Sequence, residues 1–85
     1  MDAFEAIADP VRRDLLARLG ASPARVVDLA AAHPISRPAV SRHLRVLTEA
    51  GLVSGATQGR ERHYRLERGA LGAVRAWLDA LEETG

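Results

Sequence analysis

The chain of 85 residues contains no cysteine. That removes disulfides, thiolate metal sites and cysteine nucleophiles together. Lysine is absent as well, so all twelve basic residues are arginine. The longest apolar stretches are broken by charge, as V-V-D-L-A-A-A is by Asp28, which leaves nothing long enough to span a bilayer. The N-terminal M-D-A-F-E is acidic and no signal-peptide apolar region follows it, so a cytoplasmic protein is expected. There is no phosphate-binding glycine loop, no nucleophile beside a base, and no carboxylate pair that spacing forces together. Glu82 and Glu83 are merely adjacent near the C-terminus. An enzyme is not expected. Internal repeats and low-complexity segments are absent too.

What is present fits one small domain with a modest core. An apolar content of 47% is ordinary for a globular chain and too high for a disordered one. The net charge is only +1, but it is unevenly spread. Between Arg37 and Arg65 six arginines face Glu49 and Glu61, a local +4, and the remainder sums to −3. Such a concentration of positive charge is the electrostatic footprint of nucleic-acid binding.

The positive segment begins with S-R-P-A-V-S-R-H-L-R-V-L-T-E-A-G-L, from Ser36 to Leu52. Ser36 can cap a helix, Pro38 is tolerated in its first turn, and Gly51 suits the left-handed position past its end. Val40, Leu44 and Leu47 recur at i, i+4 and i+7, one apolar stripe. Pro38, Ser41, Arg42, Arg45 and Glu49 fall on the opposite side, with Arg37 at the flank. A solvated face would look the same. It would also fit a DNA major groove, where Arg reads guanine and Ser reads either base type. His43 borders the stripe and either donates to a phosphate or packs.

In chain order, residues 2–8 carry Phe4, Ile7 and Ala8 at helical spacing, with Asp2 as cap. Asp9-Pro10 opens a second helix whose stripe is Val11, Leu15, Leu16 and Leu19, ended by Gly20. Residues 21–25 read as a connection, and 26–32 as a short third helix stopped by His33-Pro34. Together with the arginine-bearing helix this is a helix-turn-helix over 26–50. After Gly51 the period changes to two. The Q-G-R turn signal then predicts a two-stranded β-hairpin over 52–66, a wing whose tip carries Arg60 and Arg62. Residues 69–83 form a last helix with Leu71, Val74, Trp77, Leu78 and Leu81 on one face. That face either covers the monomer core or, with Phe4 and Ile7 of the first helix, forms a dimer interface. So small a domain favours the dimer.

The words F-E-A-I-A-D-P-V-R-R-D-L-L-A-R-L, S-R-P-A-V-S-R-H-L-R-V-L-T-E-A-G-L-V and G-R-E-R-H-Y-R-L resemble the ArsR/SmtB family of bacterial repressors, from Phe4 to Leu81. The resemblance implies a homodimeric winged helix-turn-helix, mainly α with four to five helices, that binds an imperfect inverted repeat in a promoter. It implies that the first and last helices, 2–8 and 69–83, build the dimer. It also implies that the helix from Arg37 to Ala50 is the recognition helix. Double-stranded DNA and a second copy of the chain are then the partners, with no membrane, and with no effector identified. Ser36, Arg37, Pro38, Ser41, Arg42, His43 and Arg45, with Arg60 and Arg62 of the wing, are the candidate DNA contacts.

The family's metal sites do not carry over. Where relatives have a cysteine pair this chain reads A-R-V-V-D-L, and its last helix has no histidine. His33, His43 and His63 lack the close spacing of a helical ligand pair. No metal and no cofactor are expected. Two alternatives remain: a winged helix that binds protein rather than DNA, and a DNA-binding sensor of a non-metal ligand.

Overall fold

The computed structural model describes residues 1–84. In chain order it contains α1 (Ala3–Ala6), α2 (Pro10–Ala21), β1 (Ala24–Arg25), α3 (Val26–Ala31), α4 (Arg37–Glu49), β2 (Val53–Gln58), β3 (Glu61–Leu66), a 3-10 turn (Arg68–Leu71) and α5 (Gly72–Thr84). Five α-helices and an antiparallel sheet among the described residues make a mainly α winged helix-turn-helix. None of these helices is long and apolar enough to cross a membrane.

α4 is fixed at both ends by the signals its sequence carries. Ser36 is the cap, and its hydroxyl accepts from the Ala39 N–H at 3.2 Å. At the other end Gly51 takes φ +77°. Its N–H donates to the Thr48 carbonyl, and the Leu52 N–H donates to the Leu47 carbonyl, each at 3.0 Å. This pair of reversed bonds is a Schellman motif, which satisfies the last carbonyls and turns the chain sharply. Val40, Leu44 and Leu47 are fully buried, and so is Leu52 just past the turn. One apolar stripe therefore seats the helix and also anchors the entry to the wing.

α2 starts as its sequence suggests, with Asp9 accepting from the Val11 and Arg12 N–H groups at 2.8 and 3.2 Å. Its Leu15 and Leu19 meet the α4 stripe in the core. The hairpin registers Val53 with Leu66 and Gln58 with Glu61, leaving a two-residue turn at Gly59-Arg60. Gly59 has φ +64°, the positive value that a type II′ turn needs at its first position.

Several boundaries differ from the sequence reading. α1 stops at Ala6 and α2 runs past Gly20 to Ala21. Gly20 is tolerated inside the helix, where the Leu66 side chain packs beside it. α3 ends at Ala31, and the last helix opens with a 3-10 turn. The sheet has three strands in the order β1-β3-β2, because Ala24 and Arg25 pair with Tyr64 and His63. A strand of two residues has no periodicity to detect.

Because α4 contributes three fully buried side chains, Leu47→Ala is expected to lower stability by about 2–5 kcal/mol. Arg45→Ala, on the exposed face, is expected to change it by less than about 0.5 kcal/mol. Urea titration followed by circular dichroism checks both.

Candidate nucleic-acid interface

The outer face of α4 presents Arg37, Pro38, Arg42 and Arg45 to solvent, with Ser41 half-buried beside them. Among the described residues no carboxylate pairs with Arg37, Arg42, Arg45 or Arg60. Among the described residues the other arginines except Arg75 are engaged by carboxylates, carbonyls or hydroxyls. Arg18 pairs with Asp14, Arg25 with Asp28 and Glu61, and Arg65 with Glu67. Arg37, Arg42, Arg45 and Arg60 thus leave a group of unneutralised cations on the outer face of α4 and the wing tip, where a phosphate backbone would be their counter-charge.

The start of α4 and the wing face each other across an open cleft of about 310 Å³. It is lined by Arg37 and Ser41 of α4, by Arg60, Glu61, Arg62 and Tyr64 of the hairpin, and by Arg25, Val26 and Val27. The structure thus brings together Arg37, Ser41, Arg60 and Arg62 from the expected set. Arg42 and Arg45 lie further along the helix, outside the cleft lining.

Within the wing, the Arg62 guanidinium lies over the Tyr64 ring, 5.7 Å from its centroid, and donates to Thr57 Oγ1 at 3.3 Å. A cation over an aromatic face is attracted by the ring quadrupole. Gly55 makes room for this stack, because a Cβ there would come within 2.9 Å of both the guanidinium and the ring. The sequence reading did not single out Gly55. A glycine inside a strand is the available signal for such a close approach.

His43 is half-buried. Its Nδ1 lies 3.4 Å from Arg12 Nη1, which it accepts from when that nitrogen is unprotonated. Arg12 reaches the other way as well. Its Nε donates to the Ala6 carbonyl at 2.6 Å and its Nη2 to the Glu5 carbonyl at 3.2 Å. One guanidinium therefore links the end of α1 to α4. The helical pattern had placed Arg12 outside its own apolar stripe, and gave no hint of these partners. Partial burial tends to raise the nearby Asp9 carboxyl, but the Arg12 and Val11 N–H bonds outweigh it and hold it below the usual range.

A second face, formed by α1 and α5, is apolar. Phe4, Trp77, Leu78 and Leu81 are 41%, 53%, 47% and 51% exposed. Phe4 and Trp77 stack edge to face with centroids 5.8 Å apart, joining α1 to α5. Of the other residues expected there, Ile7 and Leu71 are half-buried against the monomer core, and Val74 is half-buried on α5. An apolar groove of about 360 Å³ on α5, lined by Leu71, Val74 and Leu78, is rimmed by Arg75, Asp79 and Glu82.

The three histidines lie apart, and no three His, Asp or Glu side chains among the described residues converge as a metal site. His33 Nε2 lies 2.8 Å from Asp14 Oδ2 but out of line for a hydrogen bond, so their attraction depends on His33 being charged.

A helix-turn-helix domain model matches residues 7–55. The chain is 46% identical over 77 residues to the HTH-type transcriptional regulator Rv2034 of Mycobacterium tuberculosis, covering 91% of this chain and 72% of that one. It is 37% identical over 84 residues to the HTH-type transcriptional repressor SmtB of the same organism, 99% of this chain but only 61% of that protein's length. The crystal structure of an ArsR family transcriptional regulator superposes with a TM-score of 0.86 at 37% identity, covering 95% of this chain and 84% of that one. With its unpaired arginines on helix and wing, the chain is a DNA-binding transcriptional regulator and belongs to the ArsR/SmtB family of winged helix-turn-helix proteins.

Proposed function

We propose that this chain acts as a homodimeric repressor, in which two copies place their α4 helices in successive major grooves of an inverted-repeat operator, without need of a metal. The observation that carries the reading is the set of unpaired arginines shared by the α4 face and the wing tip. In this reading residues 1–85 form a single winged helix-turn-helix domain. α4 reads the groove, and the hairpin over 52–66 follows the backbone. Arg42 and Arg45 meet base edges or phosphates. Ser36, Arg37, Pro38 and Ser41 lie against the DNA near the helix start, and Arg60 and Arg62 serve the wing. His43, held by Arg12, supports the helix from behind.

Base reading follows from what α4 carries. It has no Asn or Gln for bidentate adenine contacts, whereas Arg suits guanine O6 and N7. Guanines are therefore expected in each half-site. Arg42→Ala or Arg45→Ala is expected to cost about 1–3 kcal/mol in specific binding, and Arg60→Ala to weaken binding to all sequences more evenly. Fluorescence-anisotropy titration of a duplex enriched by the wild-type protein from a random-sequence pool measures this. Unchanged affinity in both helix mutants would overturn the assignment.

Dimerisation is supported by the exposed apolar residues shared by α1 and α5, a surface of the kind that marks an interaction site. The segments 2–8 and 69–83 supply it, through Phe4, Trp77, Leu78 and Leu81, with Ile7, Leu71 and Val74 behind them. Trp77→Glu or Leu78→Glu would bury an unpaired charge there. Sedimentation is expected to give a dimer for the wild type at micromolar concentration and a monomer for either variant. A monomeric wild type would sink the idea.

Metal independence is supported by the absence of any cysteine and by the separation of the three histidines. The same anisotropy titration is expected to give equal affinity with chelator and with micromolar zinc, copper or arsenite. A tenfold or larger shift, reversed by chelator and abolished by His33→Ala, His43→Ala or His63→Ala, would reveal a metal site.

A further inference from the structure

Arg25 lies in a stretch whose sequence reads as a plain connection. It is the second residue of β1 and the cap residue of α3. Its guanidinium is held by two carboxylates. Nε donates to Asp28 Oδ2 at 2.9 Å and Nη2 to Asp28 Oδ1 at 3.1 Å, a forked contact that fixes the plane of the group. Nη1 donates to Oε2 of Glu61, the first residue of β3. Hydrogen bonds from Arg25 also hold the Asp28 carboxyl below its usual range.

Register explains what the contact reaches. Arg25 is the pairing partner of His63, and β1 goes no further along β3. Glu61 lies two residues closer to the tip, where the diagonal neighbour of Arg25 falls on the same face of the sheet. Beyond the end of β1, β3 has among the described residues only β2 as a strand partner. The Arg25 side chain extends the support by those two residues, up to the turn itself. Arg60 and Arg62 flank Glu61 in sequence, and all of them line the cleft that also holds Arg37 and Ser41.

A carboxylate among arginines on a surface that faces phosphate weakens attraction to DNA. Its presence calls for another role. We infer that Arg25 and Glu61 are a positioning pair, an ion-paired strut between the helix-turn-helix body and the wing that sets Arg60 and Arg62 in register with α4. The inference rests on the cleft being the DNA interface.

Charge and position make opposite demands, which makes the pair testable. If only charge matters, Arg25→Ala weakens DNA binding and Glu61→Ala tightens it, and the double variant is the sum. If the pair positions the wing, both single variants weaken binding to the enriched duplex by about three- to fivefold, the scale of an exposed ion pair. The double variant then binds no more weakly than either single one, since the partners act as a unit. The salt dependence supplies a second readout. A displaced wing no longer neutralises its phosphates, so the slope of log K against log salt is expected to shrink by about one for each phosphate that the wing ceases to touch. Far-UV circular dichroism checks that each variant is folded, and the exposed Glu61→Ala variant carries the test if Arg25→Ala does not fold. Arg42→Ala is titrated in parallel. Weaker binding by Arg42→Ala together with tighter binding by Glu61→Ala would overturn the positioning role alone. Unchanged binding by Arg42→Ala and Arg45→Ala would remove the interface reading and the strut with it.

Discussion

The structure depends on the burial of one helix stripe. Val40, Leu44 and Leu47 carry α4 into contact with Leu15 and Leu19 of α2, and the arginine-bearing face of α4 and the entry to the wing are placed relative to that seat. The opposite face of α4 can be given over to arginine because it contributes nothing to the core. Side chains on the two faces of one helix are thus under separate physical constraints. The inner face answers to packing density, where removal of a single methylene is felt. The outer face answers to solvent and to the ligand.

Much of this was legible from the sequence. The Ser36 cap, the i, i+4, i+7 stripe and Gly51 name the start, the buried face and the end of α4, and each takes the role its chemistry suggests. Asp9-Pro10 does the same for α2. These signals are local, since each acts within a turn or two of its own position. The wing was legible for a similar reason, with Gly59 supplying the positive φ that closes a two-residue turn.

What was not legible depends on partners far away in sequence. β1 exists because Ala24 and Arg25 lie alongside residues 63 and 64, and two residues cannot announce a strand. Arg12 looked like a surface side chain, yet its guanidinium is consumed by carbonyls of α1 and by His43. Arg25 and Glu61 are 36 positions apart, and neither is unusual in its own neighbourhood. Gly55 is a small residue in a strand until the Arg62–Tyr64 stack is seen to fill the space above it. The apolar face shared by α1 and α5 was visible from its spacing, whereas the packing of Ile7 and Leu71 beside it against the monomer core was not.

The Schellman turn at the end of α4 has a consequence for how such an interface can vary. Only Ala50, Gly51 and Leu52 separate the last residue of the recognition helix from the first of β2. Side chains of a strand alternate between faces, so one extra residue in that link, if passed on to the strand and not bulged out, would move the Val53 position to solvent and turn the exposed side of the hairpin inward. Helix and wing are therefore geared together by the chain itself. Their sequences can diversify residue by residue, but their spacing can change only if the link bulges or the hairpin shifts register. The distance between the outer face of α4 and the wing tip is in this sense a gauge set by the chain itself.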